Sequence, residues 1–329
     1  MKTNKSRVRH AGLRQQLAAA ILLGLSAQVA TAGDTCELTG GGNGGAVSTG
    51  TYSLACGLNA NASGNYSTAI GAYSSATGDS TATGYQSDAS GNSTATGRNS
   101  LAYSGSVAAG ENSFAGFDSN ATGNGSFALY SSVANGSGSF ASYSSTATGV
   151  DSTATNYSSA TGTGSYANNG SNATGANSTA LNYSNATGTG SYANNYSTAT
   201  GNGSSANNYS NATGANSTAD NASVATGNYS TATGNYSVAA GNGSSATGNY
   251  SAAVGAYANA SGTYATAIGA YSFANAYSTA VGGYSLAVTN STATGYYSTA
   301  AFDSTATGNN STALFDSTAN GSGAQAFYS

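Results

Sequence analysis

From Gly50 to Asn320 small residues recur in pairs, a serine followed two positions later by an alanine, and the pair returns every six or seven residues. Thr, Asn, Val, Ile, Phe or Tyr stand between and after them. Ser-x-Ala-x is an alternation of period 2, the pattern of a short strand with one face turned to a core. Gly-Asn, Gly-Ala or Gly-Thr before each run supplies positive φ and turn chemistry. So much Gly, Asn, Ser and Thr disfavours a helix. Disorder, the other reading of such a composition, does not explain why the alanines keep phase over so many units.

The spacing of the units predicts the architecture. Five consecutive seven-residue units run from Gly227 to Ser261 (GNYSTAT, GNYSVAA, GNGSSAT, GNYSAAV, GAYANAS). Elsewhere six-residue units alternate with sevens, almost strictly from Gly97 to Thr226, so the repeat there is thirteen residues in two unequal halves. Two strand-turn units per coil give a rung of 13 or 14 residues, and stacked rungs pair strand over strand in parallel. The expectation is an all-β chain, a parallel β-roll or β-solenoid of about twenty rungs. Asp88, Asp220, Asn172, Asn185 and Asn211 occupy the variable positions and would be costly inside without partners, so Ser and Ala should line the core. Ile70, Val254, Ile268, Val281 and Val288 occupy variable positions too, which leaves the opposite facing open.

Residues 1–32 read as a signal peptide. Lys2, Lys5, Arg7, Arg9 and Arg14 precede an apolar run from Leu17 to Leu25 and a small-x-small site at Ala30-Thr31-Ala32. Residues 33–49 form a Gly-rich cap or linker, and 50–329 the repeat. Without the leader, Arg98 is the one cation against ten carboxylates, a formal charge of −9, and His, Lys, Trp and Pro are all missing. General acid-base and nucleophilic catalysis draw on His, Lys, Cys or paired carboxylates, and phosphate binding needs a basic surface. The composition therefore argues against an enzyme, a small-molecule substrate, a cofactor and a nucleic-acid partner. No metal site is expected either, since two cysteines without His are too few ligands and Asp118, Asp151, Asp303 and Asp316 stand singly.

Several residues stand out. Cys36 and Cys56, the two cysteines of an exported chain, are expected to form a disulfide across the first unit. Phe114, Phe127 and Phe140 recur every thirteen residues and should stack as an exposed stripe that packs against another chain. Thr-Ala-Thr recurs, beginning with Thr81/Thr83 and Thr94/Thr96, and on a strand both threonines share one face. The chain has 24 tyrosines; Tyr66, Tyr73, Tyr229, Tyr236 and Tyr250 fall at turns, as contact surface or as a stabilising ladder. Gly40, Gly42 and Gly45 match a dinucleotide-type spacing but lack the flanking strand and helix that would give it meaning.

Segments such as Asn65-YSTAIGAYS-Ser75, Gly262-TYATAIGAYS and Ser278-TAVGGYS resemble the head repeat of trimeric autotransporter adhesins of the YadA type, of form N-S-V-A-I-G-x-x-S/A. The resemblance spans most of Gly50 to Asn320. It implies a left-handed roll, three chains side by side as a homotrimer, a place outside a Gram-negative cell, and adhesion to extracellular matrix, host or neighbouring cells. The a/d heptads of that family's stalk and the alternating strands of its outer-membrane anchor do not occur in the sequence. Two alternatives stay open. One is a self-assembling matrix or filament subunit, because solenoid ends are unpaired edges. The other is an ice-binding solenoid, because the Thr-Ala-Thr runs resemble the Thr-x-Thr rows of solenoid antifreeze proteins, although Asn185-Ala-Thr187, Asn211-Ala-Thr213 and Val133-Ala-Asn135 interrupt them.

Overall fold

The computed structural model describes residues 33–36 and 42–328; the signal peptide expected at 1–32 lies outside them. The described chain contains strands and turns and no helix, and its forty-four strands of two or three residues make about 22 rungs. It divides into two compact units, residues 1–112 and 113–329.

In the first unit one sheet stacks Asp34–Thr35, Leu54–Cys56, Thr68–Ile70, Thr81–Thr83 and Thr94–Thr96 in parallel, and Val107–Ala109 follows in the same register. The other stacks Val47–Ser48, Asn61–Ala62, Ser75–Thr77, Asp88–Ser90 and Leu101–Tyr103. Both strands drawn from the 33–49 segment thus pair with the rungs that follow. Cys36 and Cys56 form a disulfide between neighbouring strands of one sheet, with Cα atoms 4.8 Å apart.

The second unit repeats this plan with thirty-three strands. Sheet 1 runs from Asn120–Thr122 to Thr318–Asn320 and sheet 2 from Phe114–Gly116 to Gln325–Phe327, with every pairing parallel. Where the sequence alternates sixes and sevens each residue pairs with the one 13 positions on, as Thr146 with Ser159. Where it runs in sevens the step is 14, as Val238 with Ala252.

The core is made of the two small columns. The central alanine of each strand sits on the alanine of the next rung, with no exposure from Ala121 to Ala313. The serine that opens each strand is buried beside it, and Ala258 and Ala265 take over its place in the 14-residue rungs. Serine and alanine therefore face in. Ile70, Val254 and Ile268 are about 40% exposed on the outside. An alanine hides little apolar area, so cohesion comes from the ladder hydrogen bonds and from the buried hydroxyls.

Those hydroxyls are held in two ways. After most three-residue turns, as at Gly123, Gly175 and Gly188, the Ser hydroxyl donates to the glycine carbonyl three residues back (2.8–2.9 Å); Ser237 Oγ, after the turn opened by Gly234, is an exception. After most two-residue turns, Ser N–H donates instead to the Ser Oγ of the preceding rung. Ser119, 132, 145, 158, 171, 184, 197, 210 and 223 form one such file at 3.1–3.2 Å. The glycine opening the three-residue turn lies at φ near +128° in Gly175, and a Cβ there would lie 2.6 Å from the carbonyl carbon and oxygen of Gly188 in the next rung. Only glycine fits so close an approach of backbone to backbone.

Candidate binding surface

With Ser and Ala turned inward, what the solenoid offers a partner is its variable columns and its turns. The columns are regular because every rung repeats the same register, so like residues come to lie over like. At the start of the second unit Phe114, Phe127 and Phe140 stack on sheet 2, with ring centroids 4.8 and 5.1 Å apart and planes within 11°. Beside them Phe117, Tyr130 and Tyr143 stack in the adjoining turn, at 5.1 and 4.9 Å. Gly116 makes room for Leu129 of the next rung: a Cβ there would meet Leu129 Cδ2 at 3.0 Å. The second stripe was missed from the sequence although its spacing is the same, because its residues fall in turns rather than in a strand.

The threonines are distributed differently from the expected paired array. In the first unit Thr81 lies over Thr94 and Thr83 over Thr96, which brings all four onto one face. In the second unit Thr146/Thr148, Thr198/Thr200, Thr292/Thr294 and Thr305/Thr307 lie on sheet 1, whereas Thr153/Thr155 lie on sheet 2. From Thr146 to Thr226 on sheet 1 the interruptions fall only in the first position of the strand, whereas Val133-Ala-Asn135 just before them breaks both positions. In the third position Thr148, 161, 174, 187, 200, 213 and 226 form an unbroken column of seven. Requiring two threonines per strand hid it. Beyond Thr226 the same column becomes aliphatic, through Ala240, Val254, Ile268 and Val281.

The turns carry two kinds of ladder. Asn156, 169, 182, 195 and 208 adopt left-handed backbone (φ 53–56°), a region Asn tolerates better than most residues. The Nδ2 of each of the first four donates to Oδ1 of the next asparagine in the file at 3.0–3.3 Å. Of the tyrosines singled out, Tyr236 and Tyr250 stack at 5.5 Å, and the series continues through Tyr264 and Tyr277. Tyr66 stacks on Tyr52, and Tyr73 meets Tyr85 edge-on. All five of those singled out have φ between +54 and +59°, a conformation uncommon for so bulky a residue. Four of the five have a ring of a neighbouring rung against them. On the opposite turn Tyr257, 271, 284 and 297 form a four-ring stack at 4.9–5.1 Å.

Charge is sparse. Arg98 pairs with Glu111 on the surface. Burial pushes the Asp88 carboxyl above its ordinary range, opposed by a hydrogen bond from Ser75. Tyr103 is likewise raised, first by burial and then by Asp88. Among the described residues no three His, Cys, Asp or Glu side chains converge as metal ligands.

A parallel solenoid with a core of alanine and serine, and with stacked aromatic, asparagine and threonine files on its outside, defines a repetitive surface-presenting protein. The family model described as the YadA head domain repeat matches residues 48–74, 221–250, 246–272 and 302–314, and these segments are YadA-like head repeats. No curated protein matches the chain.

Proposed function

We propose that this protein is an exported, adhesin-like structural protein that acts at the cell surface or outside the cell. In this reading it assembles as a homotrimer and attaches to matrix, host or neighbouring cells through its repeated outer columns, without catalysis. The observation that carries the reading is the pair of aromatic stripes at Phe114/Phe127/Phe140 and Phe117/Tyr130/Tyr143. Six rings in two adjacent files form an apolar patch of the kind that marks an interface. The YadA-like repeats support a trimeric, extracellular setting.

Light scattering on the purified protein tests it. The expected mass is three chains, and Phe127→Asp, which places a carboxylate between two stacked rings, is expected to reduce it to one. A wild-type monomer would overturn the trimer and turn attention to the seven-threonine column and an ice-growth assay.

A further inference from the structure

The tyrosine ladder on one turn of the second unit skips a rung. Tyr183, Tyr196 and Tyr209 stack at 5.3 Å each, with planes 13° and 5° apart. Stacking resumes at Tyr236 and Tyr250. Between Tyr209 and Tyr236 the ladder position holds Ala222. Turn hydrogen bonds keep the three rungs aligned: Ala222 N–H donates to the Asn208 carbonyl (2.8 Å) and Tyr236 N–H to the Asn221 carbonyl (3.1 Å). All three residues share the left-handed backbone, at φ 64, 58 and 55°. A cavity of about 270 Å³ fills the gap, lined by Asn208, Tyr209, Asn221, Ala222, Asn235 and Tyr236. We propose that this slot binds one aromatic side chain, tyrosine or phenylalanine, presented by a partner polypeptide. The site is independent of the trimer reading.

Three observations select that occupant. The first is size. Two ladder steps separate the flanking rings, so one ring inserted between them has a face at stacking distance on each side, the offset arrangement aromatic pairs prefer. The cavity lies just below the range of about 300–1,000 Å³ usual for small-molecule pockets, which suits a single ring better than a larger ligand.

The second is that the slot is held open. Gaps also occur at Gly170 and Gly243, but there the next tyrosine closes down. A Cβ on Gly170 would be 2.8 Å from Cδ1 of Tyr183, and one on Gly243 would be 2.8 Å from Cδ1 of Tyr257. Ala222 has that Cβ, so Tyr236 cannot settle as low.

The third is the rim. Asn208 Nδ2 donates to Asp220 Oδ1 (2.9 Å), whereas the side-chain amides of Asn221 and Asn235 form no hydrogen bond with another described residue. Each offers a donor and an acceptor beside the slot, the groups that pair with the peptide N–H and C=O flanking an inserted ring. A nucleobase is disfavoured by the charge balance of the chain, which beyond residue 32 has one arginine against ten acids and no basic surface for phosphate.

Equilibrium dialysis of the full chain with labelled N-acetyltyrosinamide tests the site, with p-cresol as the bare ring and N-acetylleucinamide as the aliphatic control. Saturable uptake of N-acetyltyrosinamide is expected at one per chain, tighter than p-cresol, with none for the leucine analogue. Ala222→Tyr fills the slot with the residue and backbone geometry the ladder already uses. It should weaken uptake by about 10-fold or more and raise the urea midpoint, which also shows that the variant folds. Tyr209→Leu, which removes one wall, should weaken uptake as well. Undiminished uptake by Ala222→Tyr, or no saturable uptake by the wild type, overturns the slot. Equal affinity for p-cresol and N-acetyltyrosinamide overturns the polypeptide partner.

Discussion

Within the second unit, residues 149–226 and 227–275 share one core and one pair of sheets, and they differ by a single residue in one of the two turns of each rung. In the 13-residue rungs that turn has two residues, both left-handed, such as Asn182 and Tyr183. Its serine is held by the rung before it, Ser184 N–H donating to Ser171 Oγ at 3.1 Å, and in turn accepts from Ser197 N–H of the next rung. In the 14-residue rungs the turn has three residues and the hold is local, Ser237 N–H donating to the Gly234 carbonyl at 3.1 Å. The exterior changes with it. The threonine column gives way to the aliphatic run Ala240, Val254 and Ile268, and the ladder of asparagine amides ends. The YadA-like matches at 221–250 and 246–272 fall on the 14-residue side. One inserted residue thus changes how the serine is held, and the outer column changes from threonine to aliphatic beside it, while the alanines stay undisturbed and tyrosine stacks occur on both sides.

The largest test asks whether the two regions share one constraint. Gly175→Ala and Gly255→Ala alter equivalent glycines, at φ +128 and +129°, whose Cβ would lie 2.6–2.7 Å from the backbone of the next rung. Each should cost at least about 1–3 kcal/mol by backbone strain alone, read as a lower urea midpoint. Unequal losses would show that the regions do not share a backbone. The serines should then separate them. Ser184→Ala strands the buried N–H of Ser197 and should cost about 1–3 kcal/mol. Ser237 Oγ is buried without a partner, so Ser237→Ala should be neutral or stabilising in the same assay. A comparable loss at both serines would break the distinction. The smallest effect is expected at the rings. Tyr250→Ala loses two stacks, about 0.5–1.5 kcal/mol each, while Tyr250→Gly loses the same stacks but relieves φ +58°. The glycine variant should therefore be the more stable of the two, and the reverse order would show that the left-handed backbone carries no strain.

Much of this fold could be read from the chain because its signals are local and repeated. The six- and seven-residue spacing sets the rung lengths, and the thirteen-residue return of Phe114, Phe127 and Phe140 gives their stack; the polar residues at the variable positions favour the inward face that the structure shows, although Ile70 and Val254 at such positions leave it open. The surface was harder to read. Tyr at positive φ runs against its own preference, and only the neighbouring rung compensates it, so no single unit shows why Tyr236 or Tyr250 adopts that backbone. The seven-threonine column crosses strands whose first residues differ. The gap at Ala222 is defined by a ring that is not there, and a missing ring becomes visible only when rungs are aligned in space.

The alanine column has one more consequence. Each alanine from Ala147 to Ala225 meets an alanine on either side in unchanged register, so excision of any thirteen consecutive residues inside that stretch brings together two rungs that make the contacts both already made. Excision of six or seven would instead lay a strand of one sheet against the other. The molecule is a ruler that unequal recombination can lengthen or shorten by whole gradations, with every remaining mark still in place.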